Sequence, residues 1–276
     1  MVLPVLVRSL WFDALDDIRF PDGKATNALR GRFGAALRTV ARPSVYESIF
    51  QPKNSGNSAN GFSDPPRPFL FRGAHLDGKP VAKHDDFHVD VHVFGEPLVA
   101  DVITEALEHL FVKGAGVGRG RARLTAVVNR QVDVRLDAFE TGRRAKVAFL
   151  TPTELKHQGQ VVTQPDFAIL IRRIRDRVCT LMSLYGPGEP PLDLHAFGQT
   201  AEQVRTLRSD IDMRESSRTS GRNGQMQPIG GMVGEAEYAG PLEAFLPYLR
   251  AAFYTGVGRH TVWGNGCIET EIVAGS

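Results

Sequence analysis

Near the C-terminus, the segment Thr255-Gly-Val-Gly-Arg-His-Thr-Val-Trp-Gly-Asn-Gly266 sets Gly256, Gly258, Gly264 and Gly266 beside Arg259 and His260. Glycine takes positive φ without a Cβ penalty and lets backbone N–H groups come close to a ligand, while the cations supply charge. That combination suits a phosphate chain. His260 could also move a proton, because imidazole titrates near neutral pH; its alternative is a turn residue that only touches the ligand. A shorter copy, Gly114-Ala-Gly-Val-Gly-Arg-Gly-Arg-Ala-Arg123, carries the same Gly-Val-Gly-Arg run and adds Lys113, Arg119, Arg121 and Arg123.

Neither loop is a nucleotide fingerprint. A G-x-G-x-x-G motif follows a strand and opens a helix, but both loops here follow helical patterns and lead into strands. Arg121 and Thr261 also occupy the third-glycine positions. Gly23-Lys24 and Gly78-Lys79 are followed by Ala25 and Pro80 and lack the upstream glycine of a P-loop. These departures argue against an ATPase or a dehydrogenase.

The elements that must position the loops form a repeat. Val2 to Phe12 reads as a strand, and Ala25 to Ala41 as a helix with Leu29, Phe33, Leu37 and Val40 on one stripe. Phe87, Val89, Val91 and Val93 alternate with His88, Asp90 and His92, which defines a strand with one apolar face. Helix Pro97 to Phe111, the first glycine turn and strand Leu124 to Val128 follow, and Gln131 to Phe139 reads as a separate connecting strand. A second cycle runs through strand Ala145 to Thr151, helix Pro165 to Tyr185, a hairpin of Arg205 to Arg214 with Gln227 to Tyr238, helix Leu242 to Tyr254 and strand Cys267 to Val273. The expected fold class is α+β, two tandem ferredoxin-like (RRM-like) domains spanning 1–140 and 141–276, with a C-terminal glycine-rich loop. Asn54 to Gly61 is expected to be a mobile loop.

With 276 residues and 42% hydrophobic content, the chain can fill two cores. Its formal net charge of +2 does not by itself point to a polyanion, so any such signal lies in local clusters. Cys179 and Cys267 fit neither a disulfide framework nor zinc spacing. No signal segment or membrane-length apolar run is present, and a cytoplasmic location without membrane attachment is expected. His88 and His92 stand about 13 Å apart along a strand, too far to share one ion with Asp90, so the expectation is no metal and no cofactor.

The ending Leu246 to Gly266 resembles the glycine-rich signature of the CRISPR repeat-processing endoribonucleases of the RAMP superfamily. Ala28-Leu-Arg-Gly-Arg-Phe-Gly-Ala-Ala-Leu-Arg38 is similar to their early Leu-Arg-Gly helix, and Tyr46-Glu-Ser-Ile-Phe50 to the segment after it. Phe149-Leu-Thr-Pro-Thr-Glu-Leu-Lys156 resembles the opening of their second domain, and Ser217 to Gly234 their glycine-bearing hairpin. The resemblance implies a protein that binds CRISPR repeat RNA and cuts it once, without metal, to give mature crRNA that is passed to CRISPR effector complex subunits. Expected products are a 2′,3′-cyclic phosphate and a 5′-OH. Many family members carry a catalytic histidine in or near the first helix, whereas this chain has no histidine before His75.

Arg30, Gly34 and Arg38 form an i, i+4, i+8 stripe on that helix, and arginine can grip phosphate bidentately although it does not carry protons at neutral pH. The site is therefore expected to use Arg30, Arg38, Tyr46 and His260. Arg32, Arg42, Lys156, His157, Arg214, Arg218 and Arg222 join the glycines, Arg259 and the first-loop cations as expected RNA contacts. Two other functions compete. One is a non-catalytic RNA-binding RAMP subunit, and the other a metal-dependent hydrolase using His84 to His92.

Overall fold

A computed structural model describes residues 1–52, 65–138, 140–219 and 226–273, with the side chains of 216–219 and 226–228 outside that set. The expected mobile loop at Asn54 to Gly61 lies outside the described residues. The first half contains β1 (Val2–Ala14), α1 (Ala25–Val40), α2 (Pro43–Phe50), β2 (Phe69–Arg72), β3 (Asp86–Phe94), α3 (Pro97–Val112) and β4 (Ala122–Arg135). The second contains β5 (Arg144–Thr153), α4 (Phe167–Tyr185), α5 (Leu194–Ala201), β6 (Arg205–Thr219), β7 (Met226–Ala239), α6 (Leu246–Thr255) and β8 (Ile268–Ile272). The sheets are antiparallel, in the orders β2-β3-β1-β4 and β6-β7-β5-β8. Each order is that of a ferredoxin-like β-α-β-β-α-β unit, so the repeat read in the sequence is a repeat of architecture. One detail differs: Leu124–Val128 and the connection after it are parts of one long β4, paired with β1 from Ala122 to Arg135.

Local chemistry sets the helix ends. Pro43 and Pro97 occupy first-turn positions, where no intrahelical N–H bond is lost, and the Asp166 and Asp193 carboxylates cap α4 and α5. Helix α1 lacks a cap of its own. Asp77, distant in sequence, accepts from the Ala25 N–H at 2.8 Å instead.

The alternation in β3 decides which face is covered. Phe87, Val89, Val91 and Val93 are buried beneath α1 and α3 together with Leu10, Phe12, Leu29, Phe33 and Leu37. On the opposite face, Leu3, Val5, Val7, Leu70 and Phe94 are buried in the core of the second half. The register continues that face through Ser9↔Asp90 and Trp11↔His88, where apolar packing gives way to polar side chains. The two halves therefore share an apolar contact at one end of the first sheet and leave a polar surface at the other.

Three buried side chains complete that contact. Arg72 and His92 from the first half donate to the Phe253 and Tyr254 carbonyls, and Arg177 from α4 donates to the Thr255 carbonyl. These are the last carbonyls of α6, which have no partner within the helix. A carbonyl only accepts, so His92 Nδ1 carries the proton. Among the described residues, no helix is long and apolar enough to cross a membrane.

Past α6, the glycines serve the chain's own packing. A Cβ on Gly266, at φ +67°, would lie 1.9 Å from the Val257 carbonyl oxygen, and one on Gly258 would lie 2.3 Å from that of Glu154. Gly118 in the first loop also has positive φ, yet a Cβ there meets nothing within 4 Å.

Two measurements check these points. Burial, reinforced by the Arg72 and Arg130 charges and opposed by the Tyr254 bond, pushes the His92 imidazole down to about 3. The unfolded state therefore binds a proton that the folded state refuses, and stability falls as pH drops below about 6.5. Thermal melts at pH 6.5 and 5 should show about 2 kcal/mol of loss in the wild type that His92→Gln largely lacks. Gly266→Ala should cost roughly 3–5 kcal/mol, combining left-handed strain with overpacking, whereas Gly118→Ala should cost about 1–2 kcal/mol for strain alone. Equal melting temperatures for the two glycine variants would contradict the packing role of Gly266.

Candidate functional site

The site grows from α1. Leu29, Phe33 and Leu37 face the core, which turns Arg30, Gly34 and Arg38 toward α2. A Cβ on Gly34 would sit 2.5 Å from the Phe50 ring, so this glycine admits Phe50 onto the helix backbone. Arg30 lies over the Phe50 ring at 4.8 Å and over the Trp263 ring at 5.3 Å, the first ring from α2 and the second from the C-terminal loop. Trp263 stacks on His260, with centroids 4.4 Å apart and planes 12° from parallel. On the other side, Phe50 stacks on Tyr46 at 5.5 Å, and Tyr46 receives the Arg38 guanidinium at 4.9 Å over its ring and 3.2 Å at its hydroxyl. A continuous array thus runs Arg38, Tyr46, Phe50, Arg30, Trp263, His260. It brings together the four residues expected from sequence to act in catalysis.

His260 adopts the left-handed conformation at φ 63°. Its side chain is mostly covered, and Nε2 lies 3.6 Å from Glu154 Oε2, an ion-pair distance rather than a hydrogen bond. Glu154 Oε1 accepts from Arg259 at 2.7 Å. Burial pushes the Glu154 carboxyl up, but His260 and Arg259 outweigh it and hold the group at about 2. A buried carboxylate therefore stands behind the imidazole, where it can position the ring. Gly264 rests on the Thr26 side chain, which seats the loop on the start of α1.

The remaining expected contacts fall into groups. Arg32 reaches the Gly114 carbonyl at the first glycine loop. Around that loop, Lys113 and Arg119 are exposed, Arg121 is paired with Asp16 at 2.7 Å, and Arg123 with Asp13 at 3.2 Å. Lys156 and His157 follow Glu154 and are half-buried, and Arg42 is exposed at the start of α2. Arg214 is exposed on β6; the Arg218 side chain and Arg222 lie outside the described residues. Gly256 and Gly258 open the second loop directly after α6, and Gly266 closes it.

Sequence reasoning missed Glu154, Phe50 and Trp263 as site-forming groups. Glu154 and Phe50 stood inside quoted motifs, and Trp263 inside the glycine loop, but only long-range packing reveals their contacts. A separate cavity of about 420 Å³ opens between the two halves, lined by Arg72, His75, Asp90, His92, Arg130 and Thr151 among others.

Residues 147–268 match the family model of the CRISPR-associated endoribonuclease Cas6, and residues 3–146 match a model described as an N-terminal domain. Comparison with curated protein sequences gives no significant match. Among solved structures, a Cas6 product complex is 18% identical with TM-score 0.63, covering 98% of this chain and 99% of that one. A second Cas6 product complex is 20% identical with TM-score 0.62, covering 98% and 100%. Thermus thermophilus Cas6 is 18% identical with TM-score 0.60, covering 98% and 99%. At these identities the likeness is one of fold, and it extends through both halves. The family match over residues 147–268 and the shared fold together support a CRISPR repeat-processing, Cas6-like protein built on the RAMP-type fold.

Proposed function

We propose that this chain cuts CRISPR repeat RNA without a metal ion, leaving a 2′,3′-cyclic phosphate and a 5′-OH, and retains the mature crRNA for a CRISPR effector complex. The observation that carries the reading is the array from Arg38 to His260, which sets guanidinium groups and an imidazole on one face shared by α1, α2 and the C-terminal loop. Cleavage of this kind needs a proton taken from the ribose 2′-OH, a proton given to the 5′ oxygen and charge stabilisation of the phosphorane. His260 serves proton transfer, with Glu154 as the positioning residue behind it. Arg38 and Arg30 supply positive charge, and the Tyr46 hydroxyl is a further hydrogen-bond donor. Cas6 proteins of the same fold have been captured with product and with a substrate mimic, and a RAMP protein with different RNA substrates. Membership of a larger assembly has a precedent in a partial Cas6-RT-Cas1–Cas2 complex.

The test is single-turnover cleavage of labelled repeat RNA in excess chelator, with binding measured in parallel. Wild type should cleave undiminished. His260→Ala should slow cleavage by about 10²–10⁴-fold while RNA affinity stays within a few-fold. Arg38→Ala should lose about 10²-fold, and Arg38→Lys should recover little because a point charge cannot reproduce the planar fork. Glu154→Gln should slow cleavage while RNA affinity stays within a few-fold, since the imidazole loses the group that positions it. Binding without cleavage by the wild type would favour the non-catalytic RNA-binding subunit instead, and cleavage abolished by chelator would remove metal independence.

A further inference from the structure

The polar end of the first sheet's open face holds a cluster that the cleavage array does not use. His88 and Asp90 lie two residues apart on β3 and point the same way, and His75 reaches them from a single 3₁₀ turn at Ala74–Leu76. One ligand atom from each of His75, His88 and Asp90 lies within 4.8 Å of the other two. We propose that these three side chains form a divalent-cation site of the zinc class.

Three features support it. His88 Nε2 and Asp90 Oδ2 stand 3.6 Å apart, close to the edge of about 3.3 Å expected of a tetrahedron with bonds of about 2.0–2.1 Å. The partners behind the ligands are in place. His75 Nε2 lies 2.9 Å from the His88 carbonyl, which can only accept, so the proton sits on Nε2 and the Nδ1 lone pair is left for a metal. Asp90 Oδ1 is fixed by the Ser9 hydroxyl at 2.5 Å, leaving Oδ2 available. Metal-binding histidines and carboxylates are held in this manner by groups one step behind them. Finally, His75 and Asp90 line the 420 Å³ cavity between the halves, which gives an ion access and room for a water ligand.

Electrostatics set the affinity. Burial pushes the His88 imidazole down, a shift that Asp90 opposes and His75 and Lys79 reinforce. The Arg130 and Lys79 cations nearby oppose cation binding. The His75 and His88 rings are stacked at 4.2 Å, 17° from parallel, and an ion must lie near both planes, so the pair has to splay on binding.

The site's consequence is mechanical. Two residues beyond His75, Asp77 caps the Ala25 N–H at the start of α1, and Gly73 packs against Thr26. An ion that ties His75 to β3 therefore fastens the loop on which α1 begins. This inference does not depend on the proposed cleavage chemistry.

The test uses full-length, tag-free, chelator-stripped protein and Zn²⁺ or Co²⁺ alone. Isothermal titration should give one Zn²⁺ per chain with micromolar Kd and a rise of a few degrees in melting temperature at saturation. Co²⁺ should give visible d–d bands of four- or five-coordinate intensity. His88→Ala and Asp90→Asn should each weaken binding at least 10-fold, and His84→Ala, an exposed neighbour, should leave it unchanged. Absence of saturable Zn²⁺ binding to folded wild-type protein at concentrations up to roughly 100 µM overturns the proposal. Equal binding by wild type and folded Asp90→Asn also overturns it. Both outcomes are read from binding, so they stand apart from any result on RNA cleavage.

Discussion

The last turn of α6 ends in carbonyls that the helix cannot satisfy, and the protein answers them with buried side chains from elsewhere. Arg72 and His92 come from the first half, and Arg177 comes from α4. Burial lowers the Arg177 guanidinium to about 9, and it remains charged at neutral pH. Cations at a helix C-terminus oppose the negative end of the macrodipole, so part of their desolvation cost is offset there. Arg72 Nε and Nη1 and Arg177 Nη2 are buried without a hydrogen-bond partner among the described residues. Truncating either arginine would strand carbonyls in an apolar surround, a larger penalty than loss of one exposed bond.

This cap fixes where the chain leaves α6, and the site follows from it. Gly256 begins the turn immediately after Thr255, Gly258 passes against the Glu154 backbone, and Gly264 lands on Thr26 of α1. Glycine is needed because the loop is folded against backbone on both sides. Its compactness places Trp263 over Arg30 and His260 beside Glu154. Helix α1 and the second glycine loop belong to opposite ends of the sequence, so the array exists only when the two halves are docked.

Much of the architecture was legible because it is periodic. The α1 stripe and the alternation of β3 gave correct elements with correct buried faces. Helix α2 and strand β2 were not legible; at eight and four residues they carry too few repeats of any period. Strand β4 was split in two because it is an exposed edge strand, and a residue run open to solvent on both faces shows no alternation. The site divides in the same way. Arg30, Arg38, Tyr46 and His260 were visible as residue types in motifs, whereas Glu154 acquires its place only by docking against Arg259 and His260, 105 and 106 positions onward. His75 was invisible for the same reason, since its partners lie on another element.

The array also divides the chemical labour in a way the residue types require. Guanidinium groups do not exchange protons at neutral pH, so Arg30 and Arg38 on α1 can supply charge and geometry but no acid or base. In the proposed mechanism, proton transfer then falls to the loop, where His260 has a buried carboxylate behind it. Arg259 has a double effect on that arrangement. Its bond to Glu154 steadies the carboxylate, yet it also spends on an internal partner part of the charge that an RNA phosphate would meet. With a formal net charge of only +2, the chain has little diffuse attraction for a polyanion. In the proposed function, recognition of RNA would then rest on local cation clusters together with the shape and hydrogen-bonding geometry of the docked halves, and substitutions that loosen the docking should weaken cleavage even when every charged side chain is retained.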